Sequence, residues 1–212
     1  MKRVRLDELA PGHAAQGIGW IPLRAELGIR SFGTSAYRAD AAQPVVPRHA
    51  EAGGGAGRHE ELYVVLRGRA TFTVDDESFD APQGTCVLVL PGERREARAE
   101  EDETIVLVVG GSVGEAYRVA PWEYGSRAAR AAELADVDEL ERVTDEGVAA
   151  YGEHVTMLYG RALVAAQRGR REEAHEYLRR AAADPDFGDW VRGNARDEPL
   201  LAPIRDDPEF LR

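Results

Sequence analysis

Between Gly28 and Gly111 the chain runs as short β-rich stretches broken by turn clusters, and helical spacing never persists long enough there to carry a crossover connection. Parallel strands need such crossovers, so these strands are expected to be antiparallel and joined by tight turns. The candidates are Arg30 to Tyr37, Glu61 to Leu66, Ala70 to Val74, Thr85 to Leu90 and Thr104 to Val109. In Ala70-Thr71-Phe72-Thr73-Val74 apolar and polar residues alternate, the pattern of a strand with one face buried. Asp75-Asp76-Glu77 supplies a turn, and Gly68 and Pro82-Gln83-Gly84 punctuate the neighbouring runs. This spacing predicts a sandwich or barrel, with no crossover helix before residue 112.

From about Pro121 onward the composition changes to Ala, Glu, Arg and Leu at helical spacing, so the chain reads as α+β in two parts, 1–117 and 118–212. Ala135-Asp136-Val137-Asp138-Glu139-Leu140 aligns with Gly169-Arg170-Arg171-Glu172-Glu173-Ala174 at an offset of 34 residues. In the second copy Leu158, Ala162, Gly169, Ala174, Leu178 and Ala181 fall at small or apolar positions, and Asp184-Pro185 closes the second helix. This half resembles tetratricopeptide hairpins, whose period is 34 residues. Two units are fewer than an independent solenoid needs, so the helices are expected to lean on the β domain or on a second chain, with Pro199 to Phe210 as a cap.

Charge narrows the function classes. The net charge is -11, and neither half carries a basic excess, which argues against nucleic acid and against anionic membrane surfaces. No window is apolar enough to span a membrane, and acidic residues follow the basic start where a signal peptide needs its apolar stretch, so a soluble, cytoplasmic protein is expected. Cys86 is the single cysteine, inside the apolar run Thr85 to Leu90, which excludes a disulfide framework and predicts a buried, inert thiol.

Chemistry is expected in Arg58-His59-Glu60-Glu61-Leu62-Tyr63-Val64-Val65-Leu66-Arg67-Gly68-Arg69-Ala70. Glu61 and Gly68 stand seven residues apart, and downstream Gly84 leads through an apolar run to Pro91-Gly92. These elements resemble the two motifs of the cupin superfamily over roughly residues 50–98, and flanking strands extend the likeness over most of 18–111. The resemblance implies an antiparallel β-barrel or jelly roll and a homodimer. It also implies metal-binding histidines near Gly55 and Gly57, one residue apart, and near Arg95, where this chain has none. On that basis no cofactor is expected. A rearranged divalent-metal site from His49, His59 and Glu61 is the alternative, requiring the loop Gly53-Gly54-Gly55-Ala56-Gly57 to fold inward. Otherwise His59 caps a strand end, His49 is at the surface, and the glycine-rich loop is a lid.

Arg95 and Glu61 have three readings: they pair with each other, they present Arg95 to the carboxylate or phosphate of a small ligand with Glu61 as acceptor or base, or both sit on the rim. Alternation places Tyr63 and Val65 on the face of Glu61, so Tyr63 is a further ligand-binding candidate, with Tyr37 and Trp20 as weaker ones. The glycine-rich loop has no Gly-Lys-Ser/Thr ending, which removes a phosphate-cradle reading. No Ser/His/acid arrangement stands out, and His154 and His175 are expected at exposed helix positions. The leading expectation is a non-catalytic or regulatory protein that binds a small molecule, anionic if Arg95 holds it, and uses its helices to contact itself or another protein. The rivals are a metal-dependent oxygenase or isomerase, a metal-free isomerase using Glu61 and Tyr63, and a purely structural assembly protein.

Overall fold

The alternation from Ala70 to Val74 becomes a strand whose inward residues Ala70 and Phe72 are fully buried. In the computed structural model, which describes residues 1–13, 18–52 and 56–211, the chain divides into two units, Met1–Ala120 and Pro121–Arg212. The first holds ten strands: β1 (Gly12–His13), β2 (Gly19–Ile21), β3 (Gly33–Ala39), β4 (Pro44–His49), β5 (Glu60–Arg67), β6 (Arg69–Val74), β7 (Glu77–Pro82), β8 (Cys86–Val89), β9 (Arg95–Ala99) and β10 (Thr104–Gly111). They form a six-stranded sheet in the order β1-β2-β3-β10-β5-β8 and a four-stranded sheet in the order β4-β9-β6-β7. The paired strands are antiparallel, as the lack of crossover helices requires.

The two sheets meet through their inward side chains. Tyr63 of β5 packs edge-on to Phe72 of β6, with ring centroids 5.8 Å apart, and Val65, Val89, Ala97 and Ala99 are buried around them. Trp20 is buried with its indole donating to Ser35 Oγ at 2.9 Å, which makes it a core residue rather than a pocket wall.

Several expectations need correction. The one helix before residue 112 among the described residues, α1 (Leu23–Leu27), is a short turn between antiparallel β2 and β3 that anchors Leu23 and ends on left-handed Gly28, so it is no crossover. Strands β1, β2, β4, β7 and β9 escaped the sequence reading: β1 and β2 are only two and three residues long, and the short runs of β4, β7 and β9, rich in Pro, Arg, Glu or Asp, carry weak hydrophobic alternation. Cys86 is exposed, not buried, because β8 alternates Val87 and Val89 inward with Cys86 and Leu88 on the outward face.

The second unit comprises α2 (Pro121–Glu133), α3 (Val137–Tyr151), α4 (Val155–Gln167), α5 (Arg171–Ala182) and α6 (Gly188–Asp197), each packed on its sequence neighbour. Leu140, Leu178, Leu201 and Ile204 are completely buried in its core, and each such side chain contributes about 2 kcal/mol relative to exposure. Asp136 caps α3 by accepting from the Glu139 amide at 3.0 Å. The 3-10 turn Pro199–Ile204 packs against α4, where Gln167 Nε2 donates to the Leu200 carbonyl at 2.6 Å. His154 is the N-cap of α4, not an exposed helix residue, and His175 is part-buried with Nε2 2.9 Å from Asp207. Among the described residues no helix is long and apolar enough to cross a membrane.

The motif glycines allow a graded test. Gly68 turns β5 into β6 at φ 73°, and an added Cβ would stand 2.5 Å from Thr104 Oγ1 and 3.0 Å from Thr104 Cα, whereas Gly84 at φ 90° has open space. Gly68→Ala is expected to cost about 2–4 kcal/mol and Gly84→Ala about 1 kcal/mol, measured by urea unfolding. Equal costs would contradict this reading of Gly68.

Candidate functional site

Strand pairing builds the site from both sheets. In the smaller sheet β4 pairs with β9 so that His49 lies opposite Arg95; in the larger sheet Gly110 and Val89 flank Glu61 at the start of β5. Across the gap Arg95 Nε stands 3.8 Å from Glu61 Oε2, and His49 Nε2 stands 3.8 Å from the same oxygen. Tyr63, two residues along β5 and on the same face, donates its hydroxyl to Glu61 Oε2 at 2.6 Å. Solvent reaches this cluster chiefly at His49, whose side chain is 27% exposed while Arg95 is at 0%.

One further carboxylate completes the group. Glu51, just beyond β4, places Oε1 3.8 Å from His49 Nε2, and its Oε2 accepts the Gly57 amide at 2.8 Å. One acceptor atom from each of His49, Glu51 and Glu61 lies within 4.8 Å of the others. His59 is not a member of this trio: its Nδ1 is 3.8 Å from Glu51 Oε2, and its ring is buried beside Tyr117 at 5.3 Å between centroids. His59 Nε2 has no hydrogen-bond partner among the described residues and would lie 2.5 Å from a Cβ on Gly57. The donor atoms that converge are thus those of His49, Glu51 and Glu61, with His59 behind Glu51, and the part-buried His49 lines the site.

Counting back from Glu61 puts the first motif's paired positions at Gly55 and Gly57, of which Gly55 lies outside the described residues, as does the Gly53–Gly55 part of the supposed lid. His49 and Glu51 have the motif's one-residue spacing, and the amide of Arg58 donates to the Glu51 carbonyl at 3.0 Å. The His-x-Glu spacing ahead of a glycine-rich run was the signal available in the sequence.

The electrostatics are strained. His49 Nδ1 is 2.7 Å from the Pro47 carbonyl, which can only accept, so Nδ1 carries a proton. Burial alone would raise Glu61, but the adjoining His49 imidazole, the Tyr63 hydroxyl and the Arg95 guanidinium outweigh it and hold the carboxyl below its ordinary range. Burial, and then the charge of Glu61, push Glu51 up despite the Gly57 amide. Burial also raises the phenols of Tyr37 and Tyr63, with the charge of Glu61 adding to it, so both stay protonated. Arg95 donates Nη2 to the Leu90 carbonyl at 3.1 Å, while its buried Nε and Nη1 have no hydrogen-bond partner among the described residues.

Residues 48–110 match the family described as Cupin domain, so this stretch is a cupin domain. No curated protein matches the chain. Solved structures similar to it include an RmlC-like cupin protein from Desulfovibrio desulfuricans, 23% identical over 52% of this chain and 95% of that one, with a TM-score of 0.42. KdgF from Halomonas sp. is 14% identical over 56% and 96% of the two chains, with a TM-score of 0.44. A putative sugar phosphate isomerase from Acidithiobacillus ferrooxidans is 20% identical over 44% and 58%, with a TM-score of 0.37.

The donor types suit a divalent ion of the first row: one imidazole, whose second nitrogen is fixed by a backbone carbonyl, and two carboxylates. Glu51 also yields a pH test. A carboxyl raised in the folded state costs stability once ionised, so stability from this group is greatest in acid and is lost as pH rises from the ordinary carboxylate range through the raised value. In chelator-treated protein Glu51→Gln is therefore expected to raise Tm at neutral pH, with the gain fading below the ordinary carboxylate range. A gain of the same size at every pH would show that ionisation of Glu51 is not its source.

Proposed function

We propose that the cupin domain binds a small anionic molecule between its two sheets, without an obligatory reaction, and that Arg95 is the group that holds it. The supporting observation is the completely buried guanidinium with two donor nitrogens lacking hydrogen-bond partners among the described residues. Its nearest carboxylate, Glu61, is at ion-pair rather than hydrogen-bond distance and is already engaged by Tyr63. A carboxylate or phosphate oxygen would satisfy Arg95 Nε and Nη1 as charge-assisted hydrogen bonds. Glu61 fixes Arg95 from the opposite sheet, and Tyr63 and Tyr37 offer protonated phenols beside it.

A second reading rests on a separate observation, the convergence of His49, Glu51 and Glu61. Those residues would hold a divalent cation, which when bound supplies Lewis acidity toward an oxygen of the ligand.

The helical unit belongs to the same proposal as a tetratricopeptide-like association module. Its hairpins turn at Ala135 (φ 53°) and Gly169 (φ 74°), which occupy equivalent places in the two sequence copies. Homodimer formation, which the cupin likeness implies, is proposed with it; Leu62, Leu88 and Leu90 turn exposed side chains outward near the β8 edge.

Anion binding is tested by thermal shift and calorimetry with glycolate, pyruvate, inorganic phosphate and glucose 6-phosphate, on the native protein and on Arg95→Met and Arg95→Lys. At least one anion is expected to raise Tm of the native protein, with affinity falling by about 10-fold or more in Arg95→Met, the cost of one charge-assisted hydrogen bond or more. Folding of the variants is checked by circular dichroism. Binding of none of the four, or equal binding by Arg95→Met, would refute the proposal.

A further inference from the structure

The helical unit holds a small pocket of its own, about 220 Å³, between α3, α4 and α5. Drug-sized sites run to ~300–1,000 Å³, so its occupant is smaller. Val164 of α4 and Thr144 of α3, 3% and 1% exposed, form the floor, and the buried Thr144 hydroxyl has no hydrogen-bond partner among the described residues. Charged side chains of both signs form the walls. Glu141 and Asp145 stand one turn apart on α3, as do Glu173 and Tyr177 on α5, which gives the pocket two ends about 5.4 Å apart. At one end Arg161 of α4 lies over the Tyr177 ring, 5.7 Å from its centroid, with Nη2 3.8 Å from Asp145 Oδ1. At the other, Arg170 in the turn between α4 and α5 stands 3.6 Å from Glu141 Oε1 and 3.4 Å from Glu173 Oε2. None of these three approaches closes into a hydrogen bond, whereas Arg142 donates to Glu139 at 2.6 Å and Arg168 to Glu141 at 2.9 Å in the same unit. The ion pairs around the pocket set four carboxylates, Asp138, Glu141, Asp145 and Glu173, against three guanidinium groups, Arg161, Arg168 and Arg170.

We propose that this pocket binds a free basic amino acid. The head group goes where both of its charges are met side by side: the carboxylate on Arg161, whose stacking on Tyr177 fixes the guanidinium plane and leaves its N–H edge to donate, and the α-ammonium on Asp145. The aliphatic stem lies over Val164, and the side-chain cation reaches Glu141 and Glu173 one turn away, where Arg170 faces two carboxylates without hydrogen-bonding either. The ligand's net positive charge matches the one carboxylate in excess. A neutral amino acid offers nothing to the far end, and a diamine offers nothing to Arg161. Mutual pairing does not account for the cluster, since exposed ion pairs contribute little and these three lack hydrogen-bond geometry.

The test uses the full chain, with calorimetry and thermal shift in L-lysine and L-arginine. The controls are L-norleucine, which lacks the side-chain cation, and cadaverine, which lacks the carboxylate. At least one of the two basic amino acids is expected to bind and raise Tm, with each control weaker by about 10-fold or more, the loss of a charge-assisted contact. Asp145→Asn and Glu173→Gln, both at exposed positions that tolerate substitution, are each expected to weaken binding about 3- to 10-fold, since solvent screens part of the gain. Glu172→Gln, on α5 but outside the pocket, is expected to leave it unchanged, and circular dichroism checks that the variants fold. Binding of neither amino acid, or of norleucine or cadaverine as tightly as lysine, would overturn the proposal. So would equal binding by Asp145→Asn and Glu173→Gln, or a loss in Glu172→Gln as large as theirs, which would mark attraction to the acidic surface at large.

Discussion

A guanidinium held with no solvent contact between two β-sheets is the constraint around which the cupin domain is arranged. Taking Arg95 out of water costs several kcal/mol unless opposite charge and hydrogen bonds are supplied. The fold supplies Glu61 from the other sheet at 3.8 Å and the Leu90 carbonyl at 3.1 Å, and leaves two donor nitrogens without partners among the described residues. The surrounding interior is apolar, with Tyr63 against Phe72 and Val65, Val89 and Ala97 about them. A core of that kind would be served equally well by an apolar residue of similar volume, since buried ion pairs rarely add net stability over hydrophobic replacements. Arg95 therefore reads as a group placed for use.

The neighbours of Arg95 carry the same imprint. Glu61 is shared by Tyr63, Arg95 and His49, Glu51 is tied to the Gly57 amide, and His49 is fixed in one tautomer by the Pro47 carbonyl. Each acid and base is thus oriented by a partner that is not itself part of the converging donor set, the arrangement expected where side chains must be held ready for a ligand. Positive and negative groups approach without closing into hydrogen-bonded pairs, so the cluster is organised but not self-satisfied.

Much of the architecture was legible in the sequence because it depends on local pattern. The alternation from Ala70 to Val74, the turn glycine Gly68 and the absence of crossover helices imposed antiparallel strands, and the change of spacing near Pro121 marked the onset of helices. Glu61, Arg95 and Tyr63 were legible as neighbours because motif spacing and two-residue alternation survive folding. Two features were not. The exposure of Cys86 depends on which face of β8 turns outward, which the unbroken apolar run from Thr85 to Leu90 does not record. The role of Glu51 depends on a loop whose length breaks the motif count, so only the return of the Arg58 amide to the Glu51 carbonyl reveals that residues seven apart in sequence are neighbours in space.

The central claim is that Arg95 is an open donor awaiting an anion rather than a self-contained ion pair. It is tested most directly by the nitrogen-15 resonance of Arg95 Nε, assigned by its loss in Arg95→Lys and followed as glycolate is added. An Nε–H that moves on addition of glycolate and becomes protected from solvent exchange is the expected result. A resonance that stays fixed, already protected in the free protein, would show that Glu61 alone satisfies Arg95 and would contradict the account.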